Sequence, residues 1–337
     1  MNAPETVSPP LESSRSESMR SPSGPQRRPR RAAGSVIRWL LAGIPVILVT
    51  GCFDEADPNR EPPAGGDHLV PVQEAERLAS AARDRLEAND GGQLVLRAIE
   101  AHGGLEAWYR APTSSYTWEY ANVGSDVRFK SFLVADNRTR EVYHDLLTTG
   151  SYDAPDPVEA RFAWDGERAW IHPDTIQQPN PRFWGISGYY FQQIPFVLAD
   201  PGISYRRLPD EELDGTRYEM VRAYFDPGVG ESPGDSYTLY VHPETGRVPA
   251  VRYTVSFGRD LEPDADLPET LFYYDDPVTV DGLTVATAFR GYRYTEAGER
   301  GEFRNEAFAD SISFRRSFDR SRMEAPEGAR FVPAPGG

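Results

Sequence analysis

In 337 residues there is one cysteine, Cys52, and one lysine, Lys130. A single thiol excludes an internal disulfide, so the folded part must hold together through its apolar core. Positive charge is scarce: 36 Lys and Arg stand against 52 Asp and Glu, for a formal net charge of −16. Such a surface repels phosphate backbones and anionic head groups, so a basic nucleic-acid-binding patch is excluded. The most apolar stretch, Trp39 to Thr50, runs for about a dozen residues and contains Pro45. A transmembrane helix needs roughly 20 apolar residues to cross about 30 Å of hydrocarbon. The five histidines form no His-x-x-x-His pair, and neither Gly-x-Ser-x-Gly nor a glycine-rich phosphate loop occurs. By motif, the chain has no zinc site, no serine-hydrolase elbow and no nucleotide cradle, and no cofactor is expected. Asp275-Asp276 and Asp264-Ala265-Asp266 have calcium-binding composition, but in so acidic a chain such pairs read as solvated loops.

What is present begins with an export signal. Arg27, Arg28, Arg30 and Arg31 precede the apolar stretch, and small residues close it, the order of a basic flank, an apolar region and a cleavage site. Val49-Thr50-Gly51-Cys52 resembles the bacterial lipobox, in which the cysteine becomes the lipid-modified first residue. A buried core thiol is the plain alternative, and no folded segment surrounds the position to support it. Residues 1–51 are thus expected to be a lipoprotein signal peptide, with Met19 a second candidate start. Losing them removes seven Arg and three Glu, leaving a net charge of about −20. Several acyl chains, at about 0.8 kcal/mol per buried methylene, anchor a protein stably. Phe53, not Asp, follows Cys52, which by the sorting rule of similar lipoproteins favours the outer membrane.

Residues 52–72, with Pro58, Pro62, Pro63, Gly65 and Gly66, read as a flexible tether. The spacing Leu78, Ala82, Leu86 predicts a helix over 74–87, stopped at Asn89-Asp90-Gly91-Gly92; a second is expected over 93–101 and a further turn over 105–110. Past Pro112 the period becomes two. Tyr116, Trp118 and Tyr120 alternate with Thr117 and Glu119, then Val127 and Phe129 with Arg128 and Lys130. Hairpins are expected at Asp165-Gly166, Asp214-Gly215 and Asp281-Gly282, where Asp-Gly supplies positive φ, and at the turn Pro243-Glu244-Thr245-Gly246. About ten meandering strands follow, within one β domain expected over 73–320, with no long helix between them, which excludes a parallel sheet. Residues 321–337 read as a C-terminal tail. Arg182–Asp200 is dense in aromatics, neither cleanly helical nor alternating, and is either a lid over the sheet or a filling for it.

Several stretches in order carry a family resemblance: Ala98-Ile99-Glu100-Ala101-His102-Gly103-Gly104-Leu105-Glu106-Ala107-Trp108, Trp164-Asp165-Gly166-Glu167-Arg168-Ala169-Trp170, Pro195-Phe196-Val197-Leu198-Ala199-Asp200-Pro201-Gly202, Leu239-Tyr240-Val241-His242-Pro243-Glu244-Thr245-Gly246-Arg247 and Asp281-Gly282-Leu283. Over about residues 93–315 the chain resembles the DUF6503 lipoproteins, which are similar to the lipoprotein-sorting proteins LolA and LolB. The resemblance implies a mainly β fold, an incomplete antiparallel β barrel around an apolar cavity, covered by short helices, that receives acyl chains. Trp118, Tyr120, Phe129, Trp164, Tyr218 and Phe225 on the strands, with Trp184, Tyr190 and Phe196 from the aromatic segment, are the candidate lining. The exposed membrane-directed leucine of the receptor member has no counterpart here. The expected activity is non-catalytic binding of lipid or of an acylated protein, in the cell envelope, facing the periplasm. A sensing or protein-interaction module with a filled cavity is the second reading, and its partner would be a periplasmic protein. A hydrolase centred on His102 is the third; against it, His102 before Gly103-Gly104 has the pattern of a helix stop with a basic residue at the helix's negative end.

Overall fold

The computed structural model describes residues 69–226, 234–259, 267–295 and 297–334. Cys52, the stretch 52–68 and Asp264-Ala265-Asp266 lie outside them. Three helices open the fold: α1 (Val72–Glu87), α2 (Asp90–Ala101) and α3 (Leu105–Arg110). α1 buries Ala75, Ala79, Ala82 and Leu86, one stripe at three- and four-residue spacing. Val70, inside the stretch expected as tether, is already buried, and its amide donates to the Arg110 carbonyl at 3.1 Å. The first helix ends just before Asn89-Asp90-Gly91-Gly92, as expected, but the same residues also start the second, which begins at Asp90 and not at 93. The Asn89 side chain accepts from the Gly92 amide at 2.9 Å, the N-cap bond that satisfies an orphan donor. Gly92 is required there because a Cβ would fall 2.2 Å from the Leu86 carbonyl oxygen.

The strands, in chain order, are β1 (Thr113–Asn122), β2 (Val127–Asp136), β3 (Val142–Gly150), β4 (Pro155–Trp164), β5 (Ala169–His172), β6 (Ile203–Leu213), β7 (Thr216–Phe225), β8 (Ser236–Val241), β9 (Ala250–Tyr253), β10 (Thr270–Asp275), β11 (Val278–Val280), β12 (Leu283–Val285), β13 (Ala288–Tyr294), β14 (Arg300–Ser313) and β15 (Arg330–Val332). Thirteen form one antiparallel sheet in the order β15-β5-β4-β3-β2-β1-β14-β13-β10-β9-β8-β7-β6, while β11 and β12 make a separate hairpin. The sheet is mainly a meander and stays open: β15 and β6 are its edges, so this is an incomplete barrel. β14 returns beside β1, joining the two halves (Trp118 opposite Ala309, Tyr120 opposite Ala307). Asp214 and Gly215 (φ 49° and 79°), and Asp281 and Gly282 (φ 53° and 88°), take the positive φ that tight hairpins need.

One sheet face carries the main core. Trp118, Phe129, Phe162, Leu239, Phe272 and Phe289 lie there with the inner faces of the helices. The opposite face has two smaller apolar clusters. One holds Met220, Tyr240, Leu271 and Tyr273; the other holds Val134, Tyr143, Ala163 and Trp170, packed by Phe318, Met323 and Ala329. The C-terminal stretch expected as a tail therefore crosses the outer face. The Trp170 indole donates to the Met323 carbonyl at 3.0 Å, and β15 adds to β5 with Phe331 opposite Trp170. Edge coverage of this kind blunts an otherwise exposed ladder.

The aromatic segment is a helix after all. α4 (Pro181–Gln192) is followed by a 3₁₀ turn over Phe196–Ala199. Asn180 caps it by accepting the Arg182 amide at 2.9 Å, and Pro181 occupies the first turn, where its missing N–H costs nothing. Its two glycines permit close packing. A Cβ on Gly185 would sit 2.5 Å from Trp164 Cβ, and one on Gly188 3.1 Å from the Trp118 ring. α4 thus fills the sheet's concavity, touching β3, β4 and β5 on one side and, through Phe191, the rings of Tyr237, Tyr253 and Phe272 on the other.

Candidate functional site

α4 has two faces. Gly185, Gly188, Tyr189 and Gln192, at i, i+3, i+4 and i+7, are buried against the sheet. Phe183, Ile186, Ser187 and Tyr190, in the same spacing, look onto a cleft of about 340 Å³. Trp164 of β4 closes the cleft on one side; Phe225 of β7, Tyr237 of β8 and then Val255 and Phe257 close it on the other. The ring pairs Phe225–Tyr237 (5.6 Å) and Phe183–Phe257 (5.2 Å) make its walls aromatic.

Of the nine residues expected to line a cavity, Trp164, Tyr190 and Phe225 do so. Trp184 turns back onto Tyr120 (4.2 Å) and Phe129 (5.1 Å), and Trp118 lies against Phe289 (5.3 Å), so these four build the packed floor beneath α4. Phe196 stacks on Trp108 at 5.1 Å among the helices. Tyr218 faces the other side of the sheet, edge-on to Tyr240 at 5.8 Å, because its parity on β7 is that of Met220 and not of Val221. Unforeseen members are Ile186, Tyr237, Val255 and the polar groups Arg140, Arg182 and Asp235. Asp235 shares the inward parity of Tyr237, Leu239 and Val241, and an acid at that position was the one signal available.

The polar groups differ in how they are satisfied. Arg140, in the β2–β3 turn, is paired with Asp200 (Nε to Oδ2 3.0 Å) and donates to the Tyr189 hydroxyl at 2.5 Å and to the Asn137 carbonyl. Asn137 in turn accepts from the Ser114 hydroxyl at 2.8 Å, so this network ties α4 to the sheet. The Arg182 guanidinium donates to the carbonyls of Glu167 (2.9 Å) and Val332 (3.4 Å). Asp235 accepts the Ser256 amide at 2.5 Å, yet burial pushes its carboxyl up to about 6.

His102 ends α2, with Nδ1 2.7 Å from the Ala98 carbonyl and its own carbonyl accepting the Thr284 amide at 2.7 Å. Burial drives its pKa down to about 4, so at neutral pH it is an uncharged stop and not the cation expected at a helix end. His242 accepts the amides of Glu244 and Thr245 in its turn. Asp275 is paired with Arg290 at 2.8 Å. Among the described residues no three His, Cys, Asp or Glu side chains are placed to hold a metal ion.

No protein-family model matches the sequence, and no curated protein matches it. The fold is similar to solved structures at low identity. A LolA superfamily protein from Nitrosomonas europaea aligns at TM-score 0.46 and 10% identity, over 70% of this chain and 99% of that one. A DUF1329 family protein from Desulfovibrio piger aligns at 0.42 and 12%, over 75% and 97%. A putative outer membrane lipoprotein-sorting protein domain from Vibrio parahaemolyticus aligns at 0.37 and 11%, over 68% and 94%.

Proposed function

We propose that the cleft beside α4 receives the apolar part of a lipid or acylated protein, and that the chain works by binding alone, as a lipoprotein anchored through Cys52. The observation that carries this reading is the cleft itself: about 340 Å³ walled by aromatic and aliphatic side chains from α4 and from both halves of the sheet, within the usual size of a small-ligand pocket of roughly 300–1,000 Å³. The resemblance to DUF6503 and LolA/LolB-like lipoproteins in the quoted stretches supports it, as does the signal and lipobox pattern. On this reading residues 1–51 are removed, the chain between Cys52 and α1 is a spacer, and the protein sits in the envelope at the outer membrane, facing the periplasm.

Uptake of one apolar dye or one dodecanol per chain, by fluorescence and native mass spectrometry, is the expected result. Ser187→Trp puts a large ring into the cleft from its α4 wall. It should weaken dodecanol binding by at least about tenfold while moving the thermal midpoint little. Wild-type protein that takes up neither probe would overturn the proposal. A second prediction concerns the anchor: wild-type chain partitions with membranes, and Cys52→Ser chain is recovered in the soluble envelope fraction without added acyl mass. Equal membrane recovery would remove the anchor.

The filling of the concavity by Trp184, Tyr189 and Phe191 favours a second reading, a sensing or protein-interaction module in which α4 is permanent and the periplasmic partner binds outside.

A further inference from the structure

The cleft contains an acid where an apolar side chain would be cheaper. Asp235, one residue before β8, continues the strand's inward parity and lines the cleft with Tyr237 and Phe225. Its protein partner is Ser256, through the amide at 2.5 Å and the hydroxyl. Among the described residues no Arg or Lys makes an ion pair with it; Arg259 acts from farther away. The two guanidiniums that also line the cleft are already engaged, Arg140 by Asp200 and the Tyr189 hydroxyl, Arg182 by the Glu167 and Val332 carbonyls. The charge still to be matched is therefore negative. Around it stand Phe191, Phe225 and Tyr237, whose ring centroids lie 5.6 to 6.1 Å apart in the pairs Phe225–Tyr237 and Phe191–Tyr237. A partly buried carboxylate in a cleft walled by aromatic rings is an arrangement suited to an organic cation, and the chain's net charge of −16 draws cations toward it.

We propose that the ligand of this cleft is an amphiphile bearing a protonated amine, its ammonium on Asp235 and its apolar chain along α4. This rests on the reading of the cleft as an apolar-ligand site and adds the head group. A fatty acid is disfavoured, because its carboxylate would meet Asp235 with like charge, and an alcohol would leave the charge unmatched.

The test compares dodecylammonium, dodecanol and dodecanoate on the full chain by isothermal calorimetry at pH 8, with wild type and Asp235→Asn. Wild type should prefer dodecylammonium over dodecanol by about tenfold or more and bind dodecanoate more weakly than either. Asp235→Asn should lose the amine preference and bind dodecylammonium and dodecanol alike. In wild type the preference should also shrink as pH falls through about 6, where Asp235 takes up a proton. Arg182 across the cleft and Arg259 face it from the surrounding elements, and burial raises the hydroxyls of Tyr237 and Tyr253, so neither tyrosine ionises between pH 5 and 8. Two further arms distinguish sources of the amine: lysophosphatidylethanolamine against lysophosphatidylglycerol for a lipid, and an S-acylated cysteinyl peptide with a free against an acetylated amino terminus. Dodecanol binding with no amine preference, or a preference that survives Asp235→Asn, overturns the head-group assignment and leaves the cleft standing. Failure of all three amphiphiles to bind overturns both.

Discussion

A Gly185→Val chain is expected to lose about 3 kcal/mol or more of stability, because of what faces that buried position. A Cβ there would lie 2.5 Å from Trp164 Cβ and 3.3 Å from its Cγ, with the indole held between α4 and β4. A contact that short is not relieved by swinging a side-chain end; the helix must retreat from the sheet. Retreat would break the bond from His144 Nε2 to the Gly185 carbonyl (3.1 Å) and the bond from the Tyr116 hydroxyl to the Gly188 carbonyl (3.1 Å). Ala in place of Gly normally gains about 1 kcal/mol within a helix, so Gly185→Ala separates the two effects: it should still destabilise, by less than Val. Ser187→Ala, two residues on and facing the cleft, should change stability by about 0.5 kcal/mol or less. Urea titrations of the four chains measure these differences. A neutral Gly185→Val would show that α4 is not seated against Trp164, and the description of a filled concavity would fail with it.

How much of this was legible follows from which signals are local. Turn chemistry is local, so Asp214-Gly215 and Asp281-Gly282 announced their hairpins and the antiparallel meander came with them. Helix α4 was not announced, because Gly185 and Gly188 look like breakers until Trp164 and Trp118 are known to lie opposite; the reason for both glycines is more than sixty residues away for Trp118. Asn89-Asp90-Gly91-Gly92 marks the stop of the first helix locally, but its second role as the cap of the next shows only in the Asn89 bond to the Gly92 amide and the packing of Gly92 on Leu86. β3 carries no clean signal, because Val142, His144 and Leu146 share the inward face and a histidine interrupts the apolar alternation. β15 is three residues long and exists because β5 offers an edge. In the candidate site, aromatic type was readable but face was not: Tyr218 sits on the outer parity, and Phe196 belongs to the helical layer. Asp235 carried no motif at all. Its meaning appears only when the strand's parity, the ring pair beside it and the prior engagement of Arg140 and Arg182 are known together.

Acidification should destabilise the fold well before carboxylates alone would account for it, and His144 is the reason. Its ring is fully buried, stacked on Phe162 at 4.0 Å, with Ser131 Oγ 3.0 Å from Nδ1 and the Gly185 carbonyl 3.1 Å from Nε2. Those partners suit a neutral ring that donates from Nε2 and accepts at Nδ1. Burial lowers its pKa to about 3, and burial likewise lowers that of His102 to about 4. In the unfolded chain both protonate near 6.5. Between pH 6.5 and 4 the unfolded state therefore binds more protons than the folded one, and stability falls as pH falls, by about 1.4 kcal/mol per pH unit for each histidine. Near pH 5 the two together remove about 4 kcal/mol relative to pH 8. Asp235 works in the opposite sense: its carboxyl, raised to about 6, penalises the fold above that pH and returns about 1 kcal/mol on acidification to pH 5. The net loss of about 3 kcal/mol should appear in urea titrations at pH 8 and pH 5. His144→Asn removes one titrating ring, so its own pH dependence should be flatter by about half of the histidine contribution, whatever its absolute stability. Asp235→Asn should steepen the curve and, at pH 8, should not destabilise the chain, as expected of a side chain retained at the expense of stability. A wild-type stability unchanged from pH 8 to pH 5 would mean that His144 is reached by water, and so that α4 does not close over it.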